Sequence, residues 1–386
     1  MVVDDSAVIR GLLTRTLESD PAIKVVESVA NGEIAVRRLE ADPAKIDVVV
    51  LDIEMPVMDG IEALPKLLQA KPGLQVIMAS TLTRKNAEIS MKALSLGAAD
   101  YLPKPTSSGS LTRADDFKRE LVEKVKALGA AAKGMRTRIV VGPQKTEQGP
   151  EPEVARRPAA PAAKTAAAPQ RAVSPAAATP GAGKQVSLRP FGSAKPDVIA
   201  IGSSTGGPQA LFEVLGNLGT TTQPVVITQH MPATFTTLLA EHISRVSPMP
   251  CKEGVDGEIV KGGHIYLAPG GYHMVFEKQG TNLVLRLNQD APENFCRPSV
   301  DPMVRSLSAI YGSRLLVVIL TGMGSDGLRS SEIVTAAGGS VVAQDEKSSV
   351  VWGMPGAVAT AGLCSAVLPL KELAPQIQRL VTRSAA

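Results

Sequence analysis

Short apolar runs alternate with amphipathic stretches at both ends of this chain, and a long proline-rich segment separates the two patterned regions. Before that segment, MVV, IKVVESV, DVVVLD, LQVIMAS and DYLPK predict strands, each followed by apolar positions at helical spacing. The alternation predicts a compact parallel α/β domain with a five-stranded sheet and helices on both faces. After the segment, DVIAIG, PVVITQ, HIYLAP, HMVFE, LVLRL, LLVVILT, SVVAQ and CSAVLPL predict a second, larger, doubly wound and mostly parallel α/β sheet. Within it, YHMVFEKQGTNLVLRL reads as an inserted β-hairpin. From Gly142 to about Lys195 recurring prolines interrupt alanine-rich sequence with no apolar face to bury, which predicts a partly extended, flexible linker. The predicted layout is a first domain over 1–125, a linker over 126–195 and a second domain over 196–383.

Composition narrows this picture without redirecting it. A length of 386 residues suits two domains, each with its own core, and 44% apolar against 20% charged residues fits a globular protein. The net charge of +4 is modest, and no basic patch interleaved with aromatics predicts nucleic-acid binding. Cys251, Cys296 and Cys364 lie far apart without metal-ligand spacing, so they read as packed thiols in a reducing compartment. The opening MVVDDSAVIR lacks a signal-peptide core, and no run approaches a membrane span. A cytoplasmic protein with no direct membrane insertion is expected.

In the first domain the acids fall at strand ends: Asp4 and Asp5 after MVV, Asp52 after VVVL. In a parallel sheet these ends converge on one crevice, where three carboxylates suit an oxygen-loving cation such as Mg²⁺. Ser80 after VIMA and Lys104 in LPKP reach the same edge. A carboxylate, a cation, a hydroxyl and an ammonium together can accept a phosphoryl group, because the positive charges neutralise its oxygens.

Through VVDDS, VVVLDIEMPVMDG, IMAST and GAADYLPKP the region resembles the receiver domains of two-component response regulators, whose fold is flavodoxin-like. The resemblance implies Asp52 as phosphoacceptor, with Asp4, Asp5, Asp52 and the Glu54 backbone carbonyl as Mg²⁺ ligands. It also implies Ser80 and Lys104 as phosphoryl contacts, Tyr101 as the switch residue and a cis bond between Lys104 and Pro105. The first strand departs from the pattern, since only Met1 to Val3 precede the acids.

The second domain opens with DVIAIGSSTGGPQAL, a strand running through a Gly/Ser/Thr turn into a helix. The turn lacks the lysine of a P-loop and the spacing of a dinucleotide fingerprint, and no acid follows about 20 positions on, so a phosphate cradle fits poorly. Ser203 or Ser204 is then a candidate nucleophile. Of the four histidines, His230 directly follows a strand; His242 lies within a helical stretch, and His264 and His273 begin strands. Asp326, in the TGMGSDG loop after LLVVIL, is placed to orient the imidazole. The helix opening at Gly206 adds backbone N–H groups for an oxyanion.

IGSSTGGPQAL, TQHMP, FCRPSVDPMVRS, VILTGMGSDG and AQDEKSSVVWGMPGAV resemble the catalytic domain of chemotaxis response regulator protein-glutamate methylesterases, the CheB family. The resemblance implies Ser204 as nucleophile, His230 as base and acid, and Asp326 as its orienter. It further implies an oxyanion contact from the Met323 N–H and support from Thr205. No cofactor is implied for ester hydrolysis. The implied substrates are γ-glutamyl methyl esters on methyl-accepting chemotaxis receptors, with glutamine deamidation beside it, and the implied phosphodonor is a chemotaxis histidine kinase. Two other readings stay open: a receiver-gated hydrolase acting on another acyl group, and a phosphorylation-controlled binding module with a vestigial triad.

Overall fold

The computed structural model describes residues 1–81, 83–104, 111–140 and 186–383. The expected cis bond at Pro105 and most of the linker therefore lie outside the described residues. The first domain runs β1 (Val2–Val3), α1 (Ala7–Leu17), β2 (Ser28–Val29), α2 (Gly32–Ala41), β3 (Val48–Asp52), α3 (Gly60–Ala70), β4 (Gln75–Ser80), α4 (Arg84–Ser95), β5 (Asp100–Pro103) and α5 (Leu111–Val140). Its strands are parallel in the order β2-β1-β3-β4-β5. VVVLD and QVIMAS are apolar on both faces because β3 and β4 are buried along their whole length under helices. Ser6, Asn31, Asp59 and Thr83 start α1 to α4 by accepting a backbone N–H three residues on.

Two expectations need correction. IKVVESV predicts a long strand, but only Ser28 and Val29 pair, because their partner β1 offers only Val2 and Val3. Residues 126–140, placed in the flexible linker, continue α5 instead. That stretch contains no proline, and Leu121 and Leu128 bury one face of α5 with Val48, Val50 and Ile77 of the sheet. At the other end, Arg189 N donates to Cys364 O (2.9 Å) and Gly192 N to Ser340 Oγ (3.0 Å), fastening part of the predicted linker to the second domain.

The second domain runs β6 (Val198–Ser203), α6 (Gly207–Asn217), β7 (Val225–Gln229), α7 (Ala233–Val246), β8 (Cys251–Glu253), β9 (Ile265–Leu267), β10 (His273–Gln279), β11 (Asn282–Asn288), α8 (Val300–Tyr311), β12 (Leu315–Ile319), α9 (Leu328–Ala336), β13 (Ser340–Gln344), α10 (Met354–Thr360), β14 (Ala366–Leu368) and α11 (Leu370–Val381). Seven strands form a parallel sheet in the order β14-β13-β12-β6-β7-β9-β8, and β10 and β11 pair separately as the expected antiparallel hairpin. β8, with the half-polar sequence CKE, went unread because its pattern is too short to show a period. The chain leaves β6 toward β7 and later returns to β12 on its other side, so β6 marks a topological switch point and its carboxyl end opens a crevice. No helix among the described residues is long and apolar enough to cross a membrane.

Candidate active site

Ser203 and Ser204 follow one another at the end of β6 and meet opposite surroundings. Ser203 is fully buried and donates from Oγ to Gln229 Oε1 at 2.6 Å, so its hydroxyl is committed to the sheet. Ser204 lines a cavity of about 860 Å³ with Thr205, His230 and Met323. The turn beyond it needs glycine: Gly206 has φ +75°, and a Cβ there would lie 2.6 Å from Val350 Cβ. A Cβ on Gly322, in the loop after β12, would likewise lie 2.9 Å from Ser204 Cβ. The two loops can meet only because that side chain is absent.

His230 leaves β7 with its Nε2 2.8 Å from Asp326 Oδ2 and its Nδ1 3.3 Å from Cys296 Sγ. Among the described residues, no hydrogen bond joins Ser204 to the imidazole. Burial disfavours the charged ring, but Cys296 and Asp326 outweigh it and hold the His230 pKa above its ordinary value. Asp326, 1% exposed, also accepts from the backbone N–H groups of Val300 (2.6 Å), Asp301 (3.1 Å) and Gly327 (2.9 Å), and from Asn294 Nδ2 (2.8 Å). Burial opposes its charge, yet these donors and His230 leave its pKa below the usual carboxylate value. The other three histidines lie away from the site: His242 stacks on Phe212, His273 is buried against Ser299 N and Ala291 O, and His264 Nδ1 pairs with Gly262 O at 3.0 Å.

In the first domain Lys104 Nζ bridges Asp4 Oδ2 (2.7 Å) and Asp52 Oδ1 (2.6 Å). Oxygens of Asp4, Asp5 and Asp52 lie within 4.8 Å of one another, a hard, anionic donor set that fits Mg²⁺. Burial pushes the Asp52 carboxyl up to about 6, with Lys104 opposing only in part. Ser80 Oγ pairs with Ser90 Oγ at 3.2 Å, and Glu54 is exposed beside Lys85.

The two domains meet over the cavity. Tyr101 stacks on Phe235 of α7 with ring centroids 4.0 Å apart. Thr205 Oγ1 donates to Asp100 Oδ2 at 2.7 Å, so in this state its hydroxyl serves the interface, whereas the family resemblance assigned it to the serine and histidine. Lys124 Nζ holds the same Asp100 oxygen at 3.1 Å, and Arg119 lies 4.7 Å from the ring centroid of Phe295. Tyr101, Arg119 and Lys124 thereby form one wall of the cavity. Asp100, Arg119 and Lys124 were not anticipated, because a receiver surface residue gives no sign in sequence of what docks on it. Cys296, read in sequence as a packed thiol, instead lines the cavity against His230 Nδ1, and Asn294, just before the FCRPSVDPMVRS stretch, gave no sequence sign of its bond to Asp326.

Comparison with known proteins agrees with this layout. Residues 199–377 match the CheB methylesterase family model, and residues 1–114 match the response regulator receiver domain. A protein-glutamate methylesterase/protein-glutamine glutaminase of Rhodospirillum centenum is 58% identical over 100% of this chain and 94% of its own length. Another, from Paramagnetospirillum magneticum, is 57% identical over 99% of this chain and 96% of its own. The crystallised catalytic domain of Thermotoga maritima CheB methylesterase aligns at 38% identity over 48% of this chain and 100% of that one, with a TM-score of 0.47. The chain thus belongs to the CheB methylesterase family, with a response regulator receiver domain preceding the catalytic one.

Proposed function

We propose that this chain hydrolyses γ-glutamyl methyl esters of chemoreceptors, and deamidates receptor glutamines, by serine chemistry under control of its own receiver domain. The observation that carries the reading is the meeting of Ser204 and the His230–Asp326 pair in one cavity at the β6 switch point. Ser204 Oγ attacks the side-chain carbonyl carbon. Its proton passes to His230 Nδ1, the nitrogen left available by the Nε2 bond to Asp326, so substrate binding has to bring Ser204 to the place that Cys296 Sγ holds at rest. The Met323 N–H and the amino end of α6 stabilise the tetrahedral oxyanion. Collapse expels methanol, or ammonia from an amide, protonated by His230. Water then attacks the acyl-enzyme with His230 as base and frees the glutamate.

Control comes from the wall that the receiver builds over the cavity. Asp52 is the phosphoacceptor for a chemotaxis histidine kinase. Asp4, Asp5, Asp52 and the Glu54 backbone carbonyl would hold Mg²⁺, whose charge offsets that of the phosphoryl oxygens. Lys104 and Ser80 contact the phosphoryl group, and both must leave present partners to do so: Lys104 its bridge between Asp4 and Asp52, Ser80 its bond to Ser90. Tyr101 carries the change to the interface, because movement of its ring removes the stack on Phe235. Methanol release from membranes with methyl-labelled chemoreceptors tests both halves. We expect release to vanish in Ser204→Ala, and to keep its basal rate but lose its response to phosphodonor in Asp52→Asn. A response kept by Asp52→Asn would remove the regulatory half. Release absent from the folded wild-type chain would favour another acyl substrate or a binding role.

A further inference from the structure

Asp326 has a buried carboxylate neighbour, Asp301, and both are 1% exposed. Two carboxylates in one buried network repel each other unless donors are shared between them. Between them lies the side-chain amide of Asn294, whose Nδ2 is 2.8 Å from Asp326 Oδ1 and 3.0 Å from Asp301 Oδ2. An amide nitrogen carries two hydrogens, one for each carboxylate. Asp301 is anchored on its other oxygen by Ser330 N at 2.9 Å. Asn294 also stands in the left-handed region, with φ +53°, followed by Phe295 at +62°. Asparagine tolerates that backbone and brings the amide. Glycine would supply only the backbone, and aspartate would turn the donor into an acceptor.

We propose that Asn294 is a positioning residue for the hydrolysis: its amide, shared between Asp326 and Asp301, fixes the orientation and the negative charge of the carboxylate that serves His230. The inference rests on the reading of Ser204, His230 and Asp326 as the hydrolytic set. A donor on Asp326 Oδ1 draws part of the carboxylate charge away from the imidazole. Without it, Asp326 and the uncompensated Asp301 both favour the imidazolium, so His230 reaches its neutral, basic form only at higher pH. Among the described residues, the other charged or titratable groups facing this network are Cys296 at His230 Nδ1, His273 behind Ser299, and Glu293 and Arg305, which pair at 2.7 Å while Arg305 also feels both carboxylates.

The test is the pH profile of kcat/KM for methanol release by the full chain with phosphodonor, for wild type, Asn294→Gly, Asn294→Asp and Ser204→Ala. Loss of a hydrogen bond to a charged group predicts a fall of about 10- to 100-fold in Asn294→Gly, with the acid limb moved to higher pH. Asn294→Asp, which also tolerates the backbone, should move the limb the same way and lose more. An Asn294→Gly enzyme with wild-type rate overturns the proposal, and so does one that loses rate with its acid limb unmoved, since that marks a loop-building role only. Release that survives Ser204→Ala overturns the hydrolytic reading itself and the proposal with it, an outcome distinct from an unaffected Asn294→Gly.

Discussion

At the β1/β3 switch point Asp4 and Asp52 share the ammonium of Lys104 and accept one backbone N–H each, from Ser6 and Ile53, whereas Asp326, beside the β6 switch point, accepts from an imidazole, an amide and three backbone N–H groups. Both sheets bring carboxylates to the same topological place, as parallel sheets do. The surroundings decide what happens next. Burial raises Asp52 to about 6, while Asp326 stays below its ordinary value although it is also buried. Asp52 is under-compensated and invites outside charge, a cation and then a phosphoryl group. The catalytic acid is already satisfied, so it can orient a base without taking part in bond making.

The largest effect that sharpens this contrast is Ser204→Ala, expected to lower methanol release by about a thousandfold or more, because the satisfied His230–Asp326 pair has no reaction without a nucleophile. Steady-state release from labelled receptors measures it. Ser203→Ala, at a hydroxyl committed to Gln229, should not approach that loss. Release lost in Ser203→Ala but kept in Ser204→Ala would mean that the nucleophile had been assigned to the wrong serine.

A middle-sized effect probes the place where the two regions touch. Asp100→Ala removes the acceptor of Thr205 Oγ1 and one of the partners of Lys124, which keeps Glu120 and the Tyr101 carbonyl. It should raise the unphosphorylated rate by roughly 5- to 100-fold, the range of an ordinary coupling energy, with little change in the phosphorylated rate. A rate that stays low in both states would show that Thr205 needs Asp100 for catalysis, and that the contact is not an inhibitory one.

Much of this was legible in sequence because strands followed by polar or glycine-rich turns reveal both the sheet and its loaded edge. DVVVLD and DVIAIGSS announce β3 and β6 together with Asp52 and Ser204, since apolar runs buried on both faces end where the chain must turn toward solvent. Distinguishing Ser203 from Ser204 by structure required the position of Gln229, which lies on a neighbouring strand. The length of IKVVESV as a strand depended on β1, and the continuation of α5 past residue 125 depended on the sheet it covers. Asn294 and Asp301 were hidden for a further reason: their importance comes from a third residue, Asp326, distant in sequence. Local pattern reports what a residue can do, and tertiary contact decides which partner it does it with.

The smallest predicted effect measures the charge imbalance at the receiver directly. Asp52 has a folded-state value of about 6 against an ordinary 3.8, so the folded domain binds that proton more tightly than the unfolded chain. Its contribution to stability is full below about pH 4 and is lost as pH rises through about 6. At pH 7 without Mg²⁺, Asp52→Asn should therefore melt a few degrees above wild type, and the gap should close as the pH approaches 4. Mg²⁺ should reverse the order by stabilising the wild-type carboxylates. Calorimetry of the receiver transition in the full chain reads all three conditions. If Asp52→Asn melted below wild type at pH 7 in the absence of Mg²⁺, Lys104 would already compensate the Asp52 charge, and the two sheet edges would be electrostatically alike.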